Sequence, residues 1–415
     1  MTLHDELVTA VGVDHVESVP GEPDSHHRTW HVKPGSAAEV AEVIRRAGQH
    51  KAAVHPLGVQ GRLPRPDPTR PRVLVSTRRL DQVLQLDEMS LMVHAQAGIT
   101  GLELERILGP RGLSLGDYPP VVLTPSLGGI IAVRTPGKSS ARHGFFEDAV
   151  VGVSAVLADD RTVHTRVAPR RSTGPDLSRA LCGSEGTIGF ITSAVLRIHQ
   201  KPEARLLAAY VLPSLNAAVS AVYLALREEA APSGLRIYDT AEAAQHFDGL
   251  ALPADHALLC AATAGPTDLA ACDRDLITSA VIAEGGSTAD EDLADLWWRR
   301  LRGGEPTPGP APSLQVMATP GKLRAVYRAV IAQARVAGAT ARAHVSRFDA
   351  DGAVMFFTIQ RGGHPHDEAI ADCEHAAEVA GGWLLGARAQ KLDRYLDALR
   401  DALDPDRIMN PGTLS

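Results

Sequence analysis

The sequence predicts an α+β protein, and three observations carry that expectation. From about residue 29 to residue 200, short apolar strands and short amphipathic helices follow one another irregularly, not as repeating βαβ units. After Pro202 the register changes, and longer strands alternate with longer helices. Toward the end of the first regime lies RSTGPDLSRALCGSEGTIGFIT, Arg171 to Thr192, in which Gly183, Gly186 and Gly189 make a turn that brings bare backbone close to something.

Taken in order, Met1 to Arg28 is polar and reads as a short helix and a lead-in. WHVKPGSAAEVAEVIRRAGQHKAAVHPLG reads strand, helix, strand, because Val40, Val43 and Ile44 recur at helical spacing. Ser36 suits an N-cap, and Glu39 three residues on completes a capping box. Val73–Thr77 and Ser90–Gly98 read as strands, and ITGLELERIL reads as a helix closed by Gly109, with a further turn at Gly112. Gly128 and Gly129 open an apolar run that leads into a basic loop. FFEDAVVGVSAVLADDRTVHT is a strand pair turning at Asp159 and Asp160. Beyond Pro202, Leu206–Pro213, Leu235–Tyr238 and Leu258–Ala264 read as strands. Leu215–Glu229, Leu269–Glu284 and Lys322–Ala337 read as helices, and the loop-like GGEPTPGPAP at Gly303–Pro312 is a candidate lid. His344–Phe348 and Val354–Gln360 form a hairpin, and Asp367–Val379 and Leu392–Leu403 are closing helices.

Composition narrows the classes. A chain of 415 residues with 44% apolar content holds two or three packed units. A net charge of −7 argues against a nucleic-acid binder. The four cysteines show no metal or disulfide spacing, and no metal site is expected. No signal peptide and no apolar window of bilayer length is evident, so a cytoplasmic protein without a membrane span is expected. Arg- and Ala-rich usage suggests a bacterial source, and a homodimer is an open expectation.

STGPD followed by GSEGTIGFIT resembles the end of the FAD domain of the vanillyl-alcohol-oxidase, or PCMH-type, superfamily. Within it the closest similarity is to the alkyldihydroxyacetonephosphate synthase branch. The resemblance runs from about His31 to Leu414, strongest to Ile198, and returns at DPDRIMNPGTL. It implies a two-subdomain PCMH-type FAD-binding domain at 25–203 after a lead-in at 1–24. An α/β cap with an antiparallel sheet follows at 204–390, and 391–415 return to the FAD domain. It also implies non-covalent FAD. Gly58, Gly61 and Arg62 stand in the first phosphate loop, HPLGVQGRLPRP, where Val59 and Gln60 replace expected glycines and weaken the cradle. Pro125, Ser126, Gly128 and Gly129 match the second segment, continued by Arg134. Asp148, Val151 and Gly152 match the adenine end. Gly183, Glu185, Gly186, Thr187, Gly189 and Ile191 match the third.

In the synthases, the resemblance places a tyrosine, a His-rich segment and one arginine around the flavin, and a further arginine on the substrate phosphate. Here Arg236 in GLRIYDT and Arg302 in LRG match the arginines. Phe348 stands where the tyrosine is expected, and Leu385, Gly386 and Ala387 replace the histidines. Phenylalanine moves no proton. By period-two alternation His344 and Ser346 share the face of Phe348, which makes His344 the candidate base. The implied activity is hydride transfer from a small, anionic hydroxylated or amino substrate to FAD, with Arg236 and Arg302 holding the anion. The alternatives are a non-redox, synthase-like flavoenzyme and a flavin-free scaffold.

Overall fold

The computed structural model describes residues 1–19, 28–59, 69–116, 118–134, 142–168, 176–303, 313–385 and 394–413, without the side chains of 394–396. The first subdomain is a four-stranded sheet in the order Val16–Val19, Thr29–Val32, Arg72–Ser76, Ala53–Leu57. Its first pair is antiparallel and the other two are parallel. Helices Leu3–Val11 and Ala37–Gln49 bury Leu7, Val40, Val43 and Ile44 against Val32, Val54 and Val75. The residues read as a lead-in therefore supply a helix and an edge strand. Ser36 caps its helix through Glu39 N at 3.1 Å, but the Glu39 carboxylate takes the amide of Gly35, 2.7 Å away, not that of Ser36. The expected capping box is thus displaced by one residue.

The second subdomain is a five-stranded antiparallel sheet in the order Val83–Asp87, Met92–Gln96, Gly189–Arg197, Val150–Leu157, Thr162–His164. Helices Gly101–Leu108 and Leu127–Ala132 lie in its core with Ala155, Leu181 and Leu196. Gly109 keeps helical angles, and Gly112, with φ +70°, makes the left-handed turn instead. Far along the chain, the stretch after helix Arg394–Leu403 returns to the first sheet. Val54 exchanges backbone bonds of 2.7 Å with Ile408 O and Asn410 N, and the buried Asp404 carboxylate accepts from the Ile408 and Met409 amides.

The cap is an eight-stranded antiparallel sheet. Its order is Ser287–Thr288, Ala204–Leu212, Ala257–Gly265, Gly234–Asp239, Thr340–Ser346, Ala353–Gln360, Leu314–Ala318, Trp383–Leu384. Helices Leu215–Arg227, Thr267–Ala283, Pro320–Val336 and Asp367–Val379 cover one face, over Ile237, Leu259, Val345 and Phe357. The alternate residues, among them Tyr238 and Cys260, point to the other face. There the shorter helices Thr240–His246 and Glu291–Leu301 pack, leaving room for polar groups. No helix of the described residues is long and apolar enough to cross a membrane.

Candidate active site

Two groups of residues face one another in function, a cradle in the FAD-like domain and a polar face on the cap. The cradle gathers at the carboxyl ends of the parallel strands Ala53–Leu57 and Arg72–Ser76, where open α/β sheets bind ligands. A side chain on Gly58 would strike Ser126 Oγ, and one on Gly129 would stand 3.3 Å from it. Ser126 Oγ, Ser184 Oγ and Thr77 Oγ1 are buried and have no hydrogen-bond partner among the described residues. An unmet buried hydroxyl costs about 1–3 kcal/mol, so three of them call for a ligand rich in acceptors. The pyrophosphate and ring oxygens of FAD meet that need.

The other glycines serve packing. Gly128 lies against Ala97, Gly189 against Val156 O, and Gly183, with φ +80°, against the Arg134 side chain. Gly186, with φ +75°, leaves only 2.8 Å between an added Cβ and the Pro56 ring. Thr187 spends its hydroxyl on Ser184 O at 2.7 Å, and Ile191 lies in the second core, not on a cavity wall. Arg134 is also occupied, by Cys182 O at 3.0 Å, Arg179 O at 3.3 Å and Glu147 at 3.1 Å. It braces the Gly183 turn. Glu185, with φ +47°, is pinned by Asn410 Nδ2 on its carbonyl, and burial raises its carboxyl. Asp148 accepts from Phe145 N and pairs with Arg179 at 3.2 Å. Pro125 is half-buried beside Ser126, and Val151 is half-buried on strand Val150–Leu157. Gly152 lines a separate cavity of about 370 Å³ with His94 and His164. Gly61 and Arg62 lie outside the described residues, as do Gly386, Ala387 and the lid segment from 304 to 312.

On the cap, Tyr238 stands opposite His344 and Arg236 opposite Ser346 in the ladder. His344 is 7% exposed, and its Nδ1 lies 3.1 Å from Glu242 Oε1. His246 Nε2 approaches the same oxygen at 3.1 Å, while Arg342 Nε donates to Oε2 at 2.7 Å. A carboxylate accepts only, so His344 carries its proton on Nδ1 and leaves Nε2 as the free acceptor. Burial would raise Glu242, but the hydrogen bonds from His246 and His344 outweigh it and hold the group well below the carboxylate range. Burial holds His344 down to about 4 despite Glu242, with Arg236 adding to the effect, so the imidazole is neutral near pH 7. Glu242, His246 and His344 present three ligand atoms within 4.8 Å of one another. Both Glu242 oxygens are already engaged, however, and Arg342 and Arg236 make the surroundings positive. The arrangement serves to hold an imidazole more than to hold a cation.

Phe348 does not share this face. The strand ends at Ser346, and Arg347 takes φ +59°, which breaks the alternation. Phe348 turns into the helix-side core, 1% exposed and 6.1 Å edge-on from Tyr223, and Arg347 comes to the polar face instead. Arg347 and the Glu242/His246 pair were missed in the sequence. The pair had a signal, Glu and His four apart on one helix, while strand periodicity pointed Arg347 the wrong way. Arg302 is placed elsewhere. Its guanidinium donates to Tyr118 O at 3.0 Å and lies 5.8 Å from the Trp298 ring. There it lines a cleft of about 750 Å³ between domain and cap, with Arg142, His143 and His199.

Residues 30–166 match the FAD binding domain family model. Alkyldihydroxyacetonephosphate synthase of Caenorhabditis elegans is 31% identical over 214 residues, 50% of this chain but only 36% of its own length. The FAD-linked oxidoreductase YgcU of Escherichia coli O157:H7 is 25% identical across 92% of this chain and 88% of its own. Among solved structures, 4-ethylphenol oxidase from Gulosibacter chungangensis superposes with a TM-score of 0.73 at 15% identity, covering 100% of this chain and 96% of its own.

Proposed function

Starting from the membership of this chain in the FAD-binding oxidase superfamily, we propose that it is an FAD-linked oxidoreductase that oxidises a small anionic substrate at a carbon bearing a hydroxyl or amino group. FAD, when bound, supplies a two-electron hydride acceptor. Gly58, Ser126, Gly129 and Ser184 would hold it. His344 Nε2 takes the proton from the substrate hydroxyl or amine, and Glu242 fixes the tautomer that leaves Nε2 free. Arg236, one ladder step away, binds the acidic group through its planar fork. The observation that carries this reading is the His344–Glu242 pair beside an arginine whose Nε has no partner among the described residues.

Purified protein is expected to show flavin absorbance, or to gain it on addition of FAD, without a covalent bond. Small hydroxy and amino acids or their phosphates are then mixed with it anaerobically, and one class should bleach the flavin. Protein that stays colourless and takes up no FAD at high micromolar concentration would sink the reading in favour of a scaffold.

The non-redox, synthase-like alternative draws its support from the alkyldihydroxyacetonephosphate synthases among the relatives, the Caenorhabditis elegans protein included. Phe348 lies in the core and Leu385 is aliphatic, so neither moves a proton. Exchange of the acyl chain of acyl-dihydroxyacetonephosphate for a fatty alcohol is expected to stay at background, and turnover at enzymatic rates would restore the alternative.

A further inference from the structure

His344 and Glu242 come from two elements that must be held together for the pair to form. His344 lies on strand Thr340–Ser346, and Glu242 on the seven-residue helix Thr240–His246. A helix of two turns has little stability of its own and takes its place from what it is tied to. A slip of about 0.5 Å between helix and strand would take the 3.1 Å contact of His344 Nδ1 with Glu242 Oε1 out of hydrogen-bond range.

Asp239 stands at the junction. Strand Gly234–Asp239 ends on it, and the helix begins with the next residue. It is 6% exposed. Its Oδ1 accepts from the amide of Glu242 at 2.8 Å, which is the N-cap bond of the helix. Its Oδ2 accepts from the amide of Ala343 at 2.8 Å and from the Tyr327 hydroxyl at 3.2 Å. Pairing between the two strands runs through Arg236 with Ser346, Ile237 with Val345 and Tyr238 with His344, and stops there. Where it stops, the Asp239 carboxylate takes the next strand amide. One carboxylate therefore grips the amide of Glu242 itself and the amide of the residue before His344. A helix cap uses one oxygen. The second oxygen, on the strand, ties the helix to the base.

We propose that Asp239 is a positioning residue whose two oxygens clamp helix to strand and so set the His344–Glu242 pair, and with it the tautomer that leaves Nε2 bare. The inference rests on the function proposed above only for what the bare nitrogen does. The clamp itself acts whether or not FAD binds.

Asp239→Asn separates the two tasks. Asparagine caps a helix about as well as aspartate, so the bond from Glu242 N is kept. Its amide nitrogen is a donor and cannot accept from Ala343 N. Nitrogen-15 NMR of histidine-labelled protein at pH 8, without FAD, reads the tautomer, and the His344 signals are those missing from His344→Gln. Wild-type His344 is expected in the Nδ1–H form alone, and Asp239→Asn should show both tautomers. With FAD and substrate, kcat of the variant should fall by about tenfold or more, the worth of one hydrogen bond to a charged group. KM, FAD content and melting temperature should stay close to wild type. Should Asp239→Asn fail to fold, Asp239→Ser, which also caps but offers one oxygen, carries the same comparison. A single tautomer in the variant overturns the proposal, as do mixed tautomers already present in the wild type. So does a melting temperature that falls while the tautomer holds, the mark of a helix cap and nothing more. A tautomer that mixes on substitution, in a protein that oxidises no substrate, upholds the clamp and discards the oxidoreductase reading. An active flavoenzyme whose His344 tautomer ignores residue 239 discards the clamp alone.

Discussion

His344→Gln should lower turnover by roughly 10²- to 10⁴-fold, the usual worth of a positioned general base, while flavin content stays at the wild-type level. Glutamine is close to histidine in size but has no basic nitrogen. The geometry also sets the acid limb. A free imidazole loses its proton near pH 6.5, whereas burial holds His344 at about 4. The base is competent above its own pKa, so kcat/KM should hold level from pH 8 down to about 5 and fall as pH drops through about 4. An acid limb near 6.5 would show that another group takes the proton. Glu242→Gln should reproduce part of the loss, because a glutamine amide no longer dictates which imidazole nitrogen carries hydrogen.

Gly129→Val should give a folded, colourless protein. An added Cβ at residue 129 meets nothing nearer than Ser126 Oγ at 3.3 Å, so the new side chain fills the cradle without pushing on backbone. FAD affinity should fall by two orders of magnitude or more, read by fluorescence quenching on titration, with the melting temperature nearly unchanged. Gly186→Val is the contrasting case. Residue 186 has φ +75° and no room beside Pro56, so that variant should lose stability before it loses cofactor. If Gly129→Val keeps stoichiometric FAD, the cradle has been placed on the wrong wall.

Much of this was readable from the residues. The helix from Ala37 and the cap helices announce themselves by apolar spacing, because a helix that covers a sheet must bury one stripe. PSLGG and GSEGTIG carry Ser126, Gly129 and Ser184 of the cradle, since close backbone approach leaves glycine as its trace, whereas EDAVVGV takes Gly152 to a separate cavity. Their division of labour was not readable. Gly128 and Gly129 are neighbours in sequence, yet one packs on Ala97 and the other faces Ser126. On the cap, period two correctly put His344 and Ser346 together and failed at the next step. One residue with positive φ exchanged Phe348 for Arg347, and no propensity rule places a left-handed arginine there. Arg302 failed for a different reason. Its partner, the Tyr118 carbonyl, lies 184 residues away, and local patterns carry no information over that distance.

His55 has a bearing on how the chain is made. Its ring meets Asn410 at 2.8 Å across a separation of 355 residues, and Val54 pairs with Ile408 and Asn410 on the same strand. The strand that carries the start of the cradle therefore leaves the ribosome 355 residues before the partner that completes it. Until residue 410 has emerged, one side of Ala53–Leu57 has an unpaired edge, and Glu185 lacks the amide that pins its turn. Nascent chains stalled short of that point should remain open to proteases and to chaperones at this edge, even with the cap already folded. Cofactor capture then waits on the arrival of Asn410, far downstream of the strand it completes.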